Sequence, residues 1–157
     1  MLGAVGRRVG TLYAGLDDID IVFPKYETSF DFYGISDDGE EKRSGNFADA
    51  VYLWDNLSQR ADFVNNNYST YIGKEYAISK LTNNNNPDGI KILLIRDSFS
   101  CTIQPFIAQD ASEVCAIDLR RYDEQSVPQL CDEYKPDLVI LAYNPSAFME
   151  KQFDFFD

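Results

Sequence analysis

The hydrophobic pattern is most regular in the second half of the chain, where short apolar runs alternate with segments of helical character. The runs 90–96, 114–119 and 137–143 consist mostly of Ile, Leu, Val and Ala. Short apolar runs between turn residues are typical of strands buried on both faces of a sheet. The intervening segments 99–109 and 125–134 are predicted to be helices. This alternation of strands and helices indicates βαβ units and a parallel sheet.

The first half of the chain has a weaker pattern. Alternation of apolar and polar residues predicts a strand at 18–23, which Pro24 ends, and a second strand at 26–32. The polar and acidic segment 34–45 is predicted to be a turn region. Part of the apolar spacing in 48–63 is helical.

The strongest loop signal is the polar stretch Thr82-Asn-Asn-Asn-Asn-Pro-Asp-Gly89. We place the main organisational boundary there, within one domain of 157 residues, since this length suits a single core. Residues 1–17 are predicted to form an irregular tail, 18–89 a strand and helix insertion region, and 90–148 a regular βαβαβ core.

Composition limits the classes of partner. The chain has 14 Lys and Arg against 26 Asp and Glu, a net charge of -12. Nucleic acids and anionic membranes require clustered basic residues, so neither is predicted as a partner. No apolar run approaches the ~18 residues of a membrane span, and no signal peptide is recognised. Most of the abundant Phe and Tyr are expected in the core, and helical spacing favours the same for Tyr52 and Trp54.

No metal or cofactor is predicted. Cys101, Cys115 and Cys131 lack the spacing of zinc ligands, and the chain contains no histidine. Each cysteine lies in an apolar stretch, which favours buried thiols. The sequence leaves undecided whether two of the three form a disulfide.

Polar motifs follow two of the predicted strands. Asp97 and Ser98 come directly after the run 90–96, and Asn144 follows the third run. If these strands are neighbours, the polar groups face one crevice at the carboxyl end of the sheet. Ser98 would then be a nucleophile, with its own N–H and the Asn144 amide as oxyanion donors. The alternatives are a helix cap for the Asp-Ser pair and a turn for the Asn-Pro pair.

Asp97 and Arg120 are the other candidates at this end of the sheet. Asp97 neighbours Ser98 in sequence, so it is poorly placed as a base. Its expected role is structural, as an acceptor for backbone N–H groups at the strand–helix turn. Arg120 could bind an anionic sugar or pair with a carboxylate in the crevice, although a solvent-exposed ion pair is the favoured interpretation.

These motifs resemble the first and third conserved blocks of SGNH hydrolases: an Asp-Ser pair after an apolar strand, then Pro136-Asp-Leu-Val-Ile-Leu-Ala-Tyr-Asn144. Arg96 stands where that family usually has Gly before Asp-Ser. The chain is more similar to the DHHW branch, which is related to alginate O-acetylation proteins. The matching passages span roughly 18–148 and are Ile21-Val-Phe-Pro-Lys-Tyr-Glu-Thr28, Ile92-Leu-Leu-Ile-Arg-Asp-Ser-Phe-Ser100, Gln104-Pro-Phe-Ile107 and Ile117-Asp-Leu-Arg-Arg-Tyr122.

The resemblance implies a three-layer, flavodoxin-like α/β fold with a central, mainly parallel sheet that is incomplete on its N-terminal side. It implies an acyl-ester hydrolase or O-acetyltransferase acting on polysaccharide, outside the cell or in the cell envelope. Ser98 would be the nucleophile and Asn144 an oxyanion donor. The family's Asp and His partners come from a motif upstream of the matched passages. Because this chain has no histidine, a Ser-His-Asp triad cannot form within it, and we expect little or no activity.

Two explanations for the missing histidine stay open: the chain is the carboxy-terminal part of a longer enzyme, or it is a naturally inactive relative. The alternative function is a non-catalytic carbohydrate-binding or scaffold domain on the same fold. A receiver-like regulatory domain fits less well, because an acidic pair after a first strand and a phosphate-binding loop are missing. An incomplete sheet would expose an edge strand, which favours a homodimer.

Overall fold

The computed structural model of the protein describes residues 19–57 and 67–145, together with Phe153, Phe155 and Phe156. Six strands and three α-helices are described, with 3₁₀ turns at Trp54–Asn56, Asn67–Thr70 and Ser98–Ile103. The strands are β1 (Phe30–Ser36), β2 (Gly39–Gly45), β3 (Ile78–Asn83), β4 (Lys91–Arg96), β5 (Glu113–Ile117) and β6 (Leu138–Ala142). The helices are α1 (Phe47–Val51), α2 (Gln104–Ile107) and α3 (Val127–Tyr134).

All six described strands form one sheet in the order β2-β1-β3-β5-β4-β6. β4 is the middle one of three parallel strands and pairs in parallel with β5 and with β6. β3 joins β5 in the antiparallel direction, and β1 and β2 extend the sheet further as an antiparallel hairpin. The predicted α/β class is therefore confirmed, and the sheet is a mixed one, with its parallel strands on the side of β4.

The sheet is the middle of three layers, because β4 is buried on both faces. Leu93 belongs to a cluster with Leu130 and Tyr134 of α3. Leu94 points to the opposite face and belongs to a cluster with Phe47 of α1. A strand covered on both faces has a continuous apolar sequence rather than an alternating one, which is why β4 is conspicuous in the sequence.

The second half of the chain follows the prediction, with one structural difference. In place of one helix at 99–109, a 3₁₀ segment leads into the short helix α2. Pro105 lies in the first turn of α2, and without an N–H it cannot continue a preceding α-helix. The predicted helix 125–134 is α3, and its start is fixed by a capping box. The N-cap residue Ser126 donates its N–H to Gln129 Oε1 at 3.0 Å.

Two predictions for the first half are wrong. The segment 34–45 is not a turn region: only Asp37 and Asp38 form the turn, and β2 follows. The sequence of β2 is polar because it is an outer strand, where charged residues protect a sheet edge. Residues 19–24 form no regular strand. They are held by tyrosine hydroxyls instead: Val22 N–H donates to Tyr71 Oη, and Tyr52 Oη donates to Val22 O.

The predicted strand 26–32 and helix 48–63 are shorter than expected. Regular strand structure begins at Phe30, and α1 ends at Val51. Backbone hydrogen bonds from Leu53 N–H to Thr70 O and from Ile72 N–H to Val51 O pull the chain out of the helix. The helical spacing predicted Trp54 in the core, but its side chain is 45% exposed.

Parts of the sequence predictions lie outside the described residues. These are the tail 1–17, residue 18, the segment 58–66 and the end of the core at 146–148. In the described parts of the chain no helix has the length and apolar character of a membrane span. All three cysteines are free thiols, and burial raises the pKa of Cys115 to about 12.

The burial of β4 predicts that the same Leu-to-Ala change destabilises the fold far more on β4 than on β6. Leu94→Ala should lower the free energy of unfolding by about 2–5 kcal/mol, since it opens a cavity at a fully buried position. Leu141→Ala on β6, where the side chain is 53% exposed, should cost less than about 1 kcal/mol. Urea denaturation of both variants measures the difference. Equal losses would contradict the burial of β4 on both faces of the sheet.

Candidate functional site

The two strands that carry the candidate motifs are neighbours. β4 and β6 are parallel, with Arg96 opposite Ala142 in the register. Asp97 and Ser98 therefore leave the sheet at the same end as the segment with Asn144. This is the carboxyl end of the parallel strands, where α/β sheets commonly bind ligands.

The Asp97 carboxylate joins the two segments. It is almost fully buried, and its Oδ1 accepts a hydrogen bond from Phe99 N–H at 3.0 Å. Its Oδ2 accepts from Asn144 N–H at 2.7 Å. Asp97 is the N-cap of the 3₁₀ turn that follows, so the structural role expected from the sequence is confirmed. Both oxygens accept a backbone N–H, so the carboxylate ties the turn after β4 to the segment after β6.

Ser98 is the first residue of the 3₁₀ turn and is half-buried. The capping role falls to Asp97, so the serine hydroxyl is not used for it. Within the described part of the chain, the Ser98 hydroxyl makes no hydrogen bond. The next residue, Phe99, is 68% exposed. The serine thus lies at an open end of the sheet, with an unpaired hydroxyl.

A buried group of charges lies beside this turn. Arg96 is 1% exposed; its Nη1 lies 3.4 Å from Asp118 Oδ2, and its Nη2 donates to Tyr76 O at 3.0 Å. Arg120 forms a two-pronged contact with the same carboxylate, from Nε to Oδ1 at 2.8 Å and from Nη2 to Oδ2 at 2.6 Å. Asp118 itself is fully buried. Two guanidinium groups therefore share one carboxylate.

This pairing corrects the favoured interpretation of Arg120. Its side chain is 33% exposed and pairs with a buried carboxylate, not with a solvent-exposed one. Burial would by itself raise the pKa of Asp118, but the hydrogen bonds and charge of Arg120, with a contribution from Arg96, hold that pKa below its ordinary value. The hydrogen bond to Asp118 in turn raises the pKa of Arg120. Both groups are thus charged at neutral pH.

The role of Arg96 could not be inferred from the sequence motif alone. The register of the sheet explains it: β4 and β5 are aligned with Ile95 opposite Ile117, so the residues that follow, Arg96 and Asp118, lie side by side. A buried Arg next to a buried Asp is a pairing that the low local dielectric makes necessary. Arg96 Nε has no hydrogen-bond partner among the described residues, which adds a cost that the fold must offset.

Tyr143 completes the surroundings of the turn. Burial raises its pKa to about 12, with further contributions from the charges of Asp118 and Asp97. Its ring contacts Phe153 edge to face, with centroids 5.2 Å apart. The phenol is therefore neutral at pH 7. No group of three or more His, Cys, Asp or Glu that could hold a metal occurs among the described residues.

The overall arrangement is similar to that of solved structures. Bacillus cereus PatB1 with a sulfonyl adduct matches with a TM-score of 0.63 and 24% identity, over 81% of this chain and 41% of that one. A second structure of Bacillus cereus PatB1 gives 0.61 and 24%, over 80% and 38%. A DHHW family protein from Eubacterium siraeum DSM 15702 gives 0.56 and 17%, over 82% and 39%.

The chain has a DHHW-like fold. It spans about two-fifths of the length of each of these proteins. No protein-family model and no curated protein matches the sequence. At identities of 24% or less, the similarity establishes the fold, and the chemistry of this end of the sheet has to be argued from its own residues.

The shared carboxylate predicts that Asp118→Asn is strongly destabilising. The change leaves two guanidinium groups without a counter-charge and should lower the free energy of unfolding by about 3 kcal/mol at pH 7. Asp37→Asn is the matched control, because Asp37 pairs with Arg121 in an exposed position and should contribute less than about 1 kcal/mol.

The same carboxylate predicts how the difference depends on pH. A lowered pKa in the folded state means that the contribution of Asp118 is present above about pH 4 and is lost as the pH falls through the folded-state value. The gap in stability between the wild type and Asp118→Asn should therefore narrow in acid. Denaturation midpoints measured between neutral and acidic pH test this, and a gap that widens in acid would contradict it.

Proposed function

We propose that this domain supplies the nucleophile and the oxyanion site of an SGNH-like acyl-ester hydrolase or O-acetyltransferase that acts on extracellular polysaccharide. The observation that carries the proposal is the position of Ser98. Its unpaired hydroxyl lies at the carboxyl end of β4, and the adjacent parallel strand β6 leads to Asn144. Asp97 binds the backbone of both segments and so fixes their relative position.

In the proposed step, Ser98 Oγ attacks the carbonyl carbon of an acetyl ester. A bond forms between the serine oxygen and the acyl carbon, the bond to the sugar oxygen breaks, and the sugar leaves as an alcohol. The carbonyl oxygen becomes negatively charged in between. The Ser98 N–H and the side-chain amide of Asn144 would stabilise that charge. Transfer of the acetyl group to water or to a second alcohol returns the serine.

The serine proton needs a base, and the described residues at this end of the sheet provide none. Asp97 is bound to two backbone amides, Asp118 is bound to Arg96 and Arg120, and the chain has no histidine. We therefore propose that the base belongs to a part of the active protein outside this chain. The carboxy-terminal portion of a longer enzyme fits this requirement, and a natural relative without activity is the alternative.

Arg120 is proposed to bind the substrate. Nε and Nη2 contact Asp118, and within the described residues its Nη1 makes no hydrogen bond. A partly exposed guanidinium with free N–H groups suits a carboxylate or acyl oxygen of a saccharide. Arg96, Arg120, Asp97 and Asp118 sum to zero charge, so recognition would depend on directed hydrogen bonds more than on a positive field.

The edges of the sheet support a role within a larger assembly. β6 is an outer strand of the described sheet, and its exposed residues are apolar: Leu138, Val139 and Leu141 are each about half-exposed. An apolar outer strand is a surface on which further strands can add. The remainder of a longer enzyme or a homodimer would cover it, and a location outside the cell or in its envelope stays part of this proposal.

A substitution that bypasses the missing base tests the site directly. A thiol needs little help from a base, so Ser98→Cys should be acetylated by p-nitrophenyl acetate even in this chain. Mass spectrometry of the peptides gives the acetylation rate of the new thiol and of Cys131. Dividing each by its rate with iodoacetamide corrects for exposure and thiolate content. We expect the corrected rate at position 98 to exceed that of Cys131.

Asn144→Ala separates oxyanion stabilisation from simple exposure. This change removes the side-chain amide but keeps the backbone N–H that binds Asp97. Combined with Ser98→Cys, it should reduce acetylation at position 98 by at least about tenfold and leave the iodoacetamide rate unchanged. Equal corrected rates at positions 98 and 131, or no effect of Asn144→Ala, would refute the oxyanion site.

The unmodified chain should not hydrolyse a small acetyl ester faster than its Ser98→Ala variant, because a serine without a base is a poor nucleophile at neutral pH. A clear Ser98-dependent rate would show that a base is present after all.

One observation favours the second candidate, a non-catalytic carbohydrate-binding domain. Trp54 is exposed and stacks on Phe23 with ring centroids 6.2 Å apart, which forms an aromatic surface of the kind that binds sugars. Calorimetric titration with oligosaccharides distinguishes this function from the enzymatic one. Binding that survives Ser98→Ala and is lost in Trp54→Ala would support it.

A further inference from the structure

A polar cleft of about 250 Å³ lies at the end of the sheet opposite Ser98. Thr82, near the end of β3, pairs with Glu113 at the start of β5. The Asn-rich loop after β3 is therefore at the amino end of the parallel strands. The cleft lies between this loop, the segment before β1 and the end of α2. It is remote from the chemistry proposed for Ser98.

The walls of the cleft are tied together by asparagine side chains. Asn85 Nδ2 donates to Glu27 O at 3.0 Å, and Asn86 Nδ2 donates to Asp110 O at 3.2 Å. Asn83 Nδ2 donates to Ala108 O at 3.0 Å. These bonds hold the three segments in place, so a ligand would meet a preformed site. They also use amide N–H groups, which leaves the side-chain carbonyl oxygens of Asn85 and Asn86 as acceptors.

Two carboxylates of the lining have no counter-charge. In the described residues, no hydrogen bond or ion pair involves the side chain of Glu27 or of Asp110. No Lys or Arg lines the cleft. Some acidic groups elsewhere, such as Asp37 and Asp118, pair with arginines, whereas others, such as Asp88, are unpaired among the described residues like these two, so it is their place in the lining of one cleft that distinguishes Glu27 and Asp110. The cleft is thus a negative site on a chain whose net charge of -12 attracts cations.

Tyr26 adds an aromatic ring to this negative site. The ring is 61% exposed, and its hydroxyl donates to Gln109 Oε1. That hydrogen bond ties the segment before β1 to the end of α2. An aromatic face attracts cations, more strongly when the cation carries an organic group that also packs against the ring.

We propose that this cleft binds an organic ammonium group, as found in amino sugars and in lysine-like side chains, through Glu27, Asp110 and the ring of Tyr26. A metal ion is a weaker fit, because Ca²⁺ needs six to eight oxygen ligands and no cluster of three acidic groups lies among the described residues. A neutral sugar would not compensate the two charges. The volume is slightly below the range for drug-sized ligands, which suits one small group.

The experiment compares small probes that differ in charge and in shape. Glucosamine has a sugar ring and an ammonium group, N-acetylglucosamine has the same ring without the charge, and n-butylamine has the charge without the ring. Each is titrated into the whole chain while the backbone amide signals of Asn85 and Asn86 are followed by NMR. We expect saturable shifts with both amines, weakened by added NaCl, and none with N-acetylglucosamine.

Charge-removing variants locate the site. Glu27→Gln and Asp110→Asn should each weaken glucosamine binding about two- to fivefold, the range for partly exposed ion pairs, and the double variant should abolish detectable binding. Asp88→Asn is the matched control: Asp88 lies in the same loop but outside the lining, so the affinity should not change. Ser98→Ala should also bind normally.

Three outcomes would overturn the proposal. Equal shifts with N-acetylglucosamine would identify a neutral sugar site. Shifts of the same amides at lower concentrations of CaCl₂ than of either amine would identify a metal site. No saturable shift with either amine would mean that the cleft binds no ammonium group.

Discussion

The carboxylate of Asp97 is the contact on which the candidate site depends. It binds the N–H of Phe99 with one oxygen and the N–H of Asn144 with the other, so it joins the ends of two neighbouring strands. A buried carboxylate with two amide donors is satisfied where it lies. The same contact holds the segment that carries Ser98 against the segment that carries Asn144.

The second constraint is the buried charge next to that turn. Arg96 is a large charged side chain that is 1% exposed directly before the Asp-Ser pair, so its charge requires a partner. Asp118 provides it from the neighbouring strand, and Arg120 closes the group from the surface. Buried ion pairs contribute little net stability compared with apolar packing, but the loss of one partner is costly. The group therefore favours one arrangement of β4 and β5 rather than adding much stability.

The two ends of the sheet have different chemistry. At the carboxyl end, positive and negative groups balance beside Ser98, and the groups without a hydrogen bond among the described residues are the Ser98 hydroxyl and Arg120 Nη1. At the amino end, amide donors are used within the walls, and the free groups are the carboxylates of Glu27 and Asp110. A donor-rich site suits an acyl oxygen, whereas an acceptor-rich site suits a cation. The two proposals thus place ligands of opposite character at opposite ends of the sheet.

Local patterns in the sequence predicted β4, β5, β6 and α3, because a strand buried on both faces and a capped helix leave a signal within a few residues. They also predicted that Asp97 binds a backbone N–H of the turn, here that of Phe99, whereas its bond to Asn144 N–H joins residues 47 positions apart. Other features depended on partners far along the chain. β1 joins the sheet because β3 pairs with it, residues 19–24 follow the hydroxyls of Tyr52 and Tyr71, and Arg96 is buried because Asp118 lies beside it. Hydrogen bonds and ion pairs between distant segments have no local periodicity, so only the tertiary structure could decide them.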